Sequence, residues 1–355
     1  MVATQWFIDY QNGSDSTGNG TSGNPYKTLK HLMTTHGHDT TNGDDIVMSG
    51  NVLEVLTKSI STTVASNSWA PTNQFNQVTI RGAAGSATGF DGNATYSSDP
   101  GSNFTMANLE LRNSGTAATL ANATWIVNCV IHNNLAQSSS TIASGRLVNC
   151  YIYNVDCSSS YLLGGGFGQL ENCIVDFSSA SGGLWLSVCR YSAILLPGNG
   201  VTLYSNQDNA RFENNTFYYK SSATTNRIGL ARAGSSREYI SYRNNLIVFE
   251  TQNTGDVGLV LSNEDRGDTS NNAVLATTAY STTYSGAFFQ NETLSTNPFS
   301  SAPTGANDWS EWEPSTVGNN IDMSTLPFPQ IIPRYKGAWQ PTPVNASPKH
   351  PLGRF

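Results

Sequence analysis

Ile126-Val127-Asn128-Cys129-Val130-Ile131 is answered 21 residues on by Leu147-Val148-Asn149-Cys150-Tyr151-Ile152, and 23 further on by Leu170-Glu171-Asn172-Cys173-Ile174-Val175. The phrase returns as Phe212-Glu213-Asn214-Asn215-Thr216-Phe217, as Tyr242-Arg243-Asn244-Asn245-Leu246-Ile247 and, weakened at its first position, as Thr269-Ser270-Asn271-Asn272-Ala273-Val274, at Asn spacings of 42, 30 and 27. A self-similar period of this length marks a solenoid, whose coils stack because no single coil buries its own apolar face. Around each Asn lie short alternating stretches such as Arg146-Leu147-Val148 and Tyr151-Ile152-Tyr153. Alternation is strand period, and Asn tolerates the left-handed backbone of a tight corner. A leucine-rich repeat would need a dense run of Leu at fixed offsets, and none is present.

Stacking coils at about 4.8 Å sets equivalent residues over one another, so the amides form a hydrogen-bonded ladder. The expected ladder is Asn128, Asn149, Asn172, Asn214, Asn244 and Asn271, with Cys129, Cys150 and Cys173 beside it and Asn215, Asn245 and Asn272 continuing their column. The spacing of 42 fits two coils, since Tyr191-Ser192-Ala193-Ile194 falls between them in apolar register without an Asn. Asn108 and Val78-Thr79-Ile80 extend the pattern upstream.

At its start the chain reads Trp6-Phe7-Ile8-Asp9-Tyr10, Gly13-Ser14-Asp15, Gly18, Gly20-Thr21 and Asn24-Pro25-Tyr26-Lys27-Thr28-Leu29, followed by Gly43-Asp44-Asp45-Ile46-Val47. With the repeats, this run resembles the right-handed parallel β-helices of the pectate-lyase-like superfamily. The resemblance implies an all-β, right-handed parallel β-helix solenoid with a short N-terminal capping helix and a Pro-rich C-terminal arm. The expected organisation is a cap over 1–44, the β-helix over 45–296 and a closing segment and arm over 297–355, forming one elongated domain. Asn24 as helix N-cap, Pro25 at the first helical position, and Tyr26, Leu29, Leu32 and Met33 on one face predict an amphipathic helix ending near Gly37.

Charged residues make up only 12% of the chain, so Ser, Thr, Asn and Gly must supply the polar surface. A net charge of -7 argues against a nucleic-acid partner, and no apolar run is long enough to span a membrane. The five cysteines are odd in number, and three follow the repeat, which reads as a thiol column and not a disulfide framework or zinc site. Cys157 and Cys189 read as small buried residues. Met1-Val2-Ala3-Thr4-Gln5 lacks the regions of a signal peptide, giving the expectation of a chain made in a reducing compartment. Ten of the 14 prolines follow position 296, beside Trp309, Trp312 and Trp339. Proline at that density favours extended arms, and 341–355 is the candidate for reaching a partner.

No family pattern of catalytic residues is met. His36-Gly37 precedes Asp44-Asp45 and Arg227-Ile228 is followed by Gly229, which is the wrong order for a polygalacturonase-like site; no clustered Asp offers a calcium site; the residues around Val175-Asp176-Phe177 do not match an esterase. Glu171, Asp176 and Glu213 are the residual acids for glycan cleavage, and His36-Gly37-His38-Asp39 reads as a polar loop and not a metal site. Arg227, Arg232 and Arg237, with Lys220, concentrate positive charge where the repeat spacing stretches to 30. These three arginines and Trp185 are the candidate partner or glycan contacts; Tyr204, Tyr218 and Tyr219 either stack on sugars or fill the core. No catalytic residue, metal or cofactor is expected.

The leading expectation is a non-enzymatic structural or adhesive component of a tailed-phage particle, a capsid decoration or accessory virion protein assembled in the host cytoplasm. It would contact capsid or tail proteins through its C-terminal arm, possess host surface polysaccharide as a further ligand, and form a homo-oligomer, a trimer by family resemblance. The competing expectation is a secreted polysaccharide lyase or glycoside hydrolase, or a tailspike binding host glycans.

Overall fold

The computed structural model describes residues 4–36, 43–55, 59–61, 68–69, 76–91, 96–97, 103–112, 125–132, 135–136, 146–157, 168–180, 183–198, 202–205, 209–232, 240–260, 269–281 and 291–299. The chain divides into two compact units, residues 1–155 and residues 156–351. Each is built of parallel sheets in which consecutive strands of a sheet come from successive coils, which is a parallel β-helix.

In the first unit one sheet runs Gln5–Asp9, Asp45–Ser49, Asn76–Gly82, Asn103–Ala107, Trp125–Val127 and Arg146–Val148. The second runs Leu53–Val55, Gly89–Asp91, Glu110–Arg112, Val130–His132 and Tyr151–Cys157. Register aligns the inward residues: Ile46, Ile80, Met106, Ile126 and Leu147 stack in one column, and Phe90, Leu111, Ile131 and Ile152 in the other. All are buried. Their neighbours on either side point outward, as strand alternation requires.

The cap differs in one respect from the sequence expectation. Its helix spans Leu29–His36, with Leu29, Leu32 and Met33 buried as anticipated, but Thr28 and not Asn24 is its N-cap. Thr28 Oγ1 accepts from the His31 N–H at 3.0 Å. Tyr26 is drawn instead into a bridge with Ile8, exchanging backbone bonds with Phe7 and Asp9, so Asn24 and Pro25 lie in a turn and an extended link. The remaining open N–H groups at the helix start meet carboxylates: Leu29 and Lys30 donate to Glu54 at 2.9 and 3.0 Å, and Tyr10 Oη donates to the same group at 2.6 Å. An anion at that end also suits the helix dipole.

In the second unit the first sheet comprises Gln169–Glu171, Val188–Arg190, Arg211–Glu213, Ser241–Arg243 and Thr269–Ser270. The second comprises Ile174–Ala180, Ala193–Leu196, Thr216–Tyr219, Leu246–Phe249, Ala273–Leu275 and Glu292–Thr293, and the third Gly183–Leu186, Thr202–Ser205, Ile228–Arg232, Val257–Leu259 and Thr278–Tyr280. Leu170, Cys189, Phe212 and Tyr242 form one inward column and Val175, Ile194, Phe217, Ile247 and Val274 another.

The corner between first and second sheets is the repeated phrase. Asn108, Asn128, Asn149, Asn172, Asn214, Asn244 and Asn271 all have φ between 53 and 58°. In the first unit Asn149 Nδ2 donates to Asn128 Oδ1 at 3.0 Å and Asn128 Nδ2 to Asn108 Oδ1 at 3.2 Å. In the second, Asn244 Nδ2 donates to Asn214 Oδ1 at 3.3 Å. Tyr191 takes the same place with φ 50°, an angle unusual for a bulky residue, which confirms that its coil keeps the corner after losing the Asn. The adjoining column is stronger still: Asn215 Nδ2 donates to Asn245 Oδ1, Asn245 Nδ2 to Asn272 Oδ1 and Asn272 Nδ2 to Asn291 Oδ1, each at 3.0 Å. Where Cys holds that position the thiol donates to a carbonyl, Cys129 to Val127 and Cys150 to Val148 at 3.4 Å. Cys129, Cys150, Cys173 and Cys189 are free and buried. Burial pushes the Cys129 thiol up to about 12. The side chain of Cys157 falls outside the described residues.

After the last strand the chain turns back over the outer side of the second sheet: Phe299 meets the Tyr218 ring edge-on at 5.5 Å, and Asn297 Nδ2 donates to Tyr218 Oη at 3.2 Å. The rest of the expected arm, 300–355, lies outside the described residues.

Candidate functional site

Of the residues singled out in the sequence, Arg227 has the clearest place, and it is not a surface one. It is 1% exposed. Its Nη2 donates to Asp256 Oδ2 at 2.6 Å and to the Thr251 carbonyl, its Nε lies 3.2 Å from both Asp256 oxygens, and the guanidinium sits 4.7 Å over the Phe249 ring. Burial alone raises the Asp256 carboxyl, but Arg227 and the Asn253 and Arg227 backbone N–H groups outweigh it and hold the group below its ordinary value. A pair with both side chains fully buried cannot reach a partner, so the expectation of Arg227 as a contact is corrected to an internal clamp between neighbouring rungs. Arg232 ends the strand Ile228–Arg232, but its side chain, like the whole of Arg237, lies outside the described residues. Trp185 is half-buried in the third sheet, in register with Tyr204. Tyr219 is core, stacked on Phe249 at 4.4 Å and donating to the Gly229 carbonyl at 2.5 Å; Tyr218 is covered by Phe299.

The acids held back for glycan cleavage are dispersed and paired. Asp176 accepts from Lys220 Nζ at 2.7 Å on the second sheet. Glu213 forms an ion pair with Arg190 at 3.0 Å on the first, with the Nε–H not directed along the contact. Glu171 is in register with Arg190 on that same sheet. His36 stacks on Trp6 at 4.9 Å and shares a 2.7 Å hydrogen bond with Tyr26 Oη, while 37–39 of the polar loop lie outside the described residues. Among the described residues no group of three or more His, Cys, Asp or Glu is placed to hold a metal ion.

The densest cluster of chemically active side chains lies elsewhere, on the outer side of the second sheet in the first unit. Asp91, Arg112, His132 and Tyr153 occupy one outward column, and Glu110 and Tyr151 the next. Arg112 clasps Asp91, Nη2 to Oδ2 at 2.8 Å and Nε to the same oxygen at 3.1 Å. His132 Nε2 is 2.8 Å from Glu110 Oε1. A carboxylate only accepts, so the proton of this bond sits on Nε2. That Nδ1 is buried and has no hydrogen-bond partner among the described residues. The imidazole lies flat on Tyr153, centroids 4.7 Å apart at 4°, and Tyr153 on Tyr151 at 4.6 Å, so the three rings form one stack. Burial raises the Tyr153 phenol, the Glu110 charge adds to that, and Arg112 opposes it. Both tyrosines stay half-buried, and the Arg112 side chain is 37% exposed.

These residues carry no chain-order motif, but a signal for them exists. Glu110 and Tyr151 stand two positions after the corner Asn of their coils, and Arg112, His132 and Tyr153 stand four after. Aligning the coils on Asn and reading down those two outward positions brings the cluster together.

No family model matches the chain, and no curated protein matches it. Among solved structures, a GH136 lacto-N-biosidase from Eubacterium ramulus aligns over 81% of this chain and 67% of its own at 8% identity and a TM-score of 0.33. A rhamnogalacturonan lyase aligns over 85% and 91% at 12% identity and a TM-score of 0.32. At such values the likeness carries no argument about activity.

Proposed function

We propose that this chain is a glycan-binding β-helix protein whose first unit holds a sugar chain against the stack His132–Tyr153–Tyr151. The observation that carries the reading is the pairing of this aromatic stack with the half-exposed Arg112 on adjacent rungs. Aromatic ring edges pack against the apolar parts of pyranoses, phenol hydroxyls bond their oxygens, and a guanidinium takes a hydroxyl or carboxylate. The faces of Tyr153 are taken by His132 and Tyr151, so the contacts offered to a sugar are the ring edges, the phenol groups and Arg112 on the adjoining rungs.

Binding is favoured over cleavage by how the acids and bases are committed. Asp91 faces Arg112, Glu110 faces His132, and His132 Nδ1 is buried away from solvent. A glycosidase needs two carboxyl groups flanking the bond, one free to donate a proton, and an eliminating enzyme needs an exposed base. Placement on a tailed-phage particle is part of the same proposal and rests on the weakly charged, Ser/Thr/Asn-rich composition and the Pro-rich arm.

The test is retention on a panel of immobilised acidic and neutral polysaccharides, with product analysis alongside. Retention of the wild type, reduced at least tenfold in Tyr151→Ala and Arg112→Ala, is the expected result. Release of oligosaccharide that disappears in His132→Ala would overturn the binding reading in favour of an enzyme, and absence of retention on every polysaccharide would overturn both.

A further inference from the structure

The first sheet of the second unit carries an outward column of strictly alternating charge. Glu171, Arg190, Glu213 and Arg243 are register partners on four successive strands. On the side of each away from the corner, Leu170, Cys189, Phe212 and Tyr242 point inward and are buried, so the charged residues between them and the corner face out. The flanking outward column is Gln169, Val188, Arg211 and Ser241, of which Arg211 is exposed. The stripe spans about 14 Å, three rung spacings.

Read upward the stripe is minus, plus, minus, plus; read downward it is the reverse. We infer that this face is the contact for a second copy of the same chain, arranged about a two-fold axis perpendicular to the stripe. In that arrangement Glu171 stands against the other copy's Arg243 and Arg190 against the other copy's Glu213, and symmetry repeats both pairings, so every charge meets its opposite. A two-fold contact pairs a surface with itself, while the three-fold arrangement expected from family resemblance sets it against a different surface and makes no use of this complementarity. The charges already alternate within each chain, which keeps the isolated face from repelling itself. The stripe alone is smaller than a standard interface, so it fixes orientation and register and makes association dependent on salt.

The inference does not rest on the glycan-binding reading and is tested by sedimentation of the full chain at several concentrations in low and high salt. The wild type is expected to form a dimer whose dissociation constant rises at least tenfold between about 0.01 and 1 M salt, as the screening length falls from about 30 to about 3 Å. Arg190→Glu sets two pairs of like charges against each other and is expected to weaken the dimer at least tenfold. Adding Glu213→Arg restores opposite charges between copies, although Glu171 with residue 190 and residue 213 with Arg243 become like neighbours within the chain, and should recover the wild-type constant to within about threefold. The fully inverted variant, E171R/R190E/E213R/R243E, keeps the alternation within each chain. It should dimerise with itself but not with a tagged wild-type copy, because there every charge meets its like. A monomer under all conditions, a trimer, a swap that fails to restore association, or free mixing of the wild type with the inverted variant would each overturn the inference.

Discussion

Asn245 is the residue at which the ladder can be tested most sharply. It is fully buried, and its amide makes four contacts: Oδ1 accepts from the backbone N and Nδ2 of Asn215 at 3.2 and 3.0 Å, and Nδ2 donates to the Phe212 carbonyl and to Asn272 Oδ1 at 2.8 and 3.0 Å. Asn245→Ala leaves the Asn215 N–H, one Asn215 amide hydrogen and the Phe212 carbonyl without these partners. Asn272 Oδ1 still accepts from the Asn245 backbone at 3.0 Å. At about 1–3 kcal/mol per stranded buried group, with some relaxation, the expected loss is roughly 3–6 kcal/mol. For a cooperative unit of this size that corresponds to a fall in Tm of about 10–20 °C, read by circular dichroism. The neighbour supplies the control. Asn244→Gly keeps a residue suited to φ 54° and removes only the 3.3 Å bond to Asn214, so its shift should be a few degrees at most. If Asn245→Ala melted within 2 °C of the wild type, or if Asn244→Gly were the more damaging, the buried amide column would not be what holds the coils together.

Other outcomes follow from the same geometry. In a Cys157→Ser background the native protein should resist a thiol-labelling reagent and react stoichiometrically once unfolded, since Cys129, Cys150, Cys173 and Cys189 are buried; rapid native labelling would contradict this. Arg227→Met leaves the Asp256 carboxylate buried and unpaired at a cost of about 3–5 kcal/mol, whereas Arg227→Met with Asp256→Leu should cost clearly less than the two single changes summed, as urea unfolding would measure. Because the Asp256 carboxyl is held below its ordinary value, its contribution is complete above the unfolded value and is lost as pH falls through the native one; Arg227→Met should flatten that acid limb. Burial pushes the Tyr218 phenol up to about 12, with Asn297 opposing and Glu250 reinforcing the shift. The stability tied to its protonated form is therefore whole below pH 10 and lost towards 12, and Tyr218→Phe should be the less sensitive to alkali in that window.

The ladder was legible in the sequence because each of its positions answers one local demand. A left-handed corner calls for Asn, and the buried residue after it bonds a carbonyl at several rungs, as Cys129 and Asn215 both do. The cap was misread at Asn24 because a good capping sequence lost to a longer-range bond: Tyr26 pairs with Ile8 and pulls the helix start to Leu29. Arg227 was misread for a related reason. Its counter-charge, Asp256, is 29 residues away in sequence but lies on the adjoining rung, so a local count of charges recorded an excess where the fold holds a neutral pair. The Glu110–His132–Tyr153 cluster escaped notice because motifs were sought along the chain, whereas a solenoid assembles its surface across coils.

That division between columns also separates the two proposals from one another and from the fold. An inward column is constrained by packing above and below, as when Phe212 lies between Cys189 and Tyr242 in register, so substitutions there propagate along the stack. An outward column is constrained only by its own neighbours and by what it meets. Tyr151→Ala and Arg190→Glu change outward positions on strands whose inward residues, Ile152 and Cys189, are untouched. Tyr151→Ala should therefore remove glycan retention and Arg190→Glu self-association with the chain still folded, Arg190→Glu giving up some stability because it replaces the ion pair to Glu213 with a like-charge contact. Each should also leave the other's property intact, since the two columns belong to different units. Loss of both properties in either variant, with the chain still folded, would show that one surface serves both and that reading the columns as independent is mistaken.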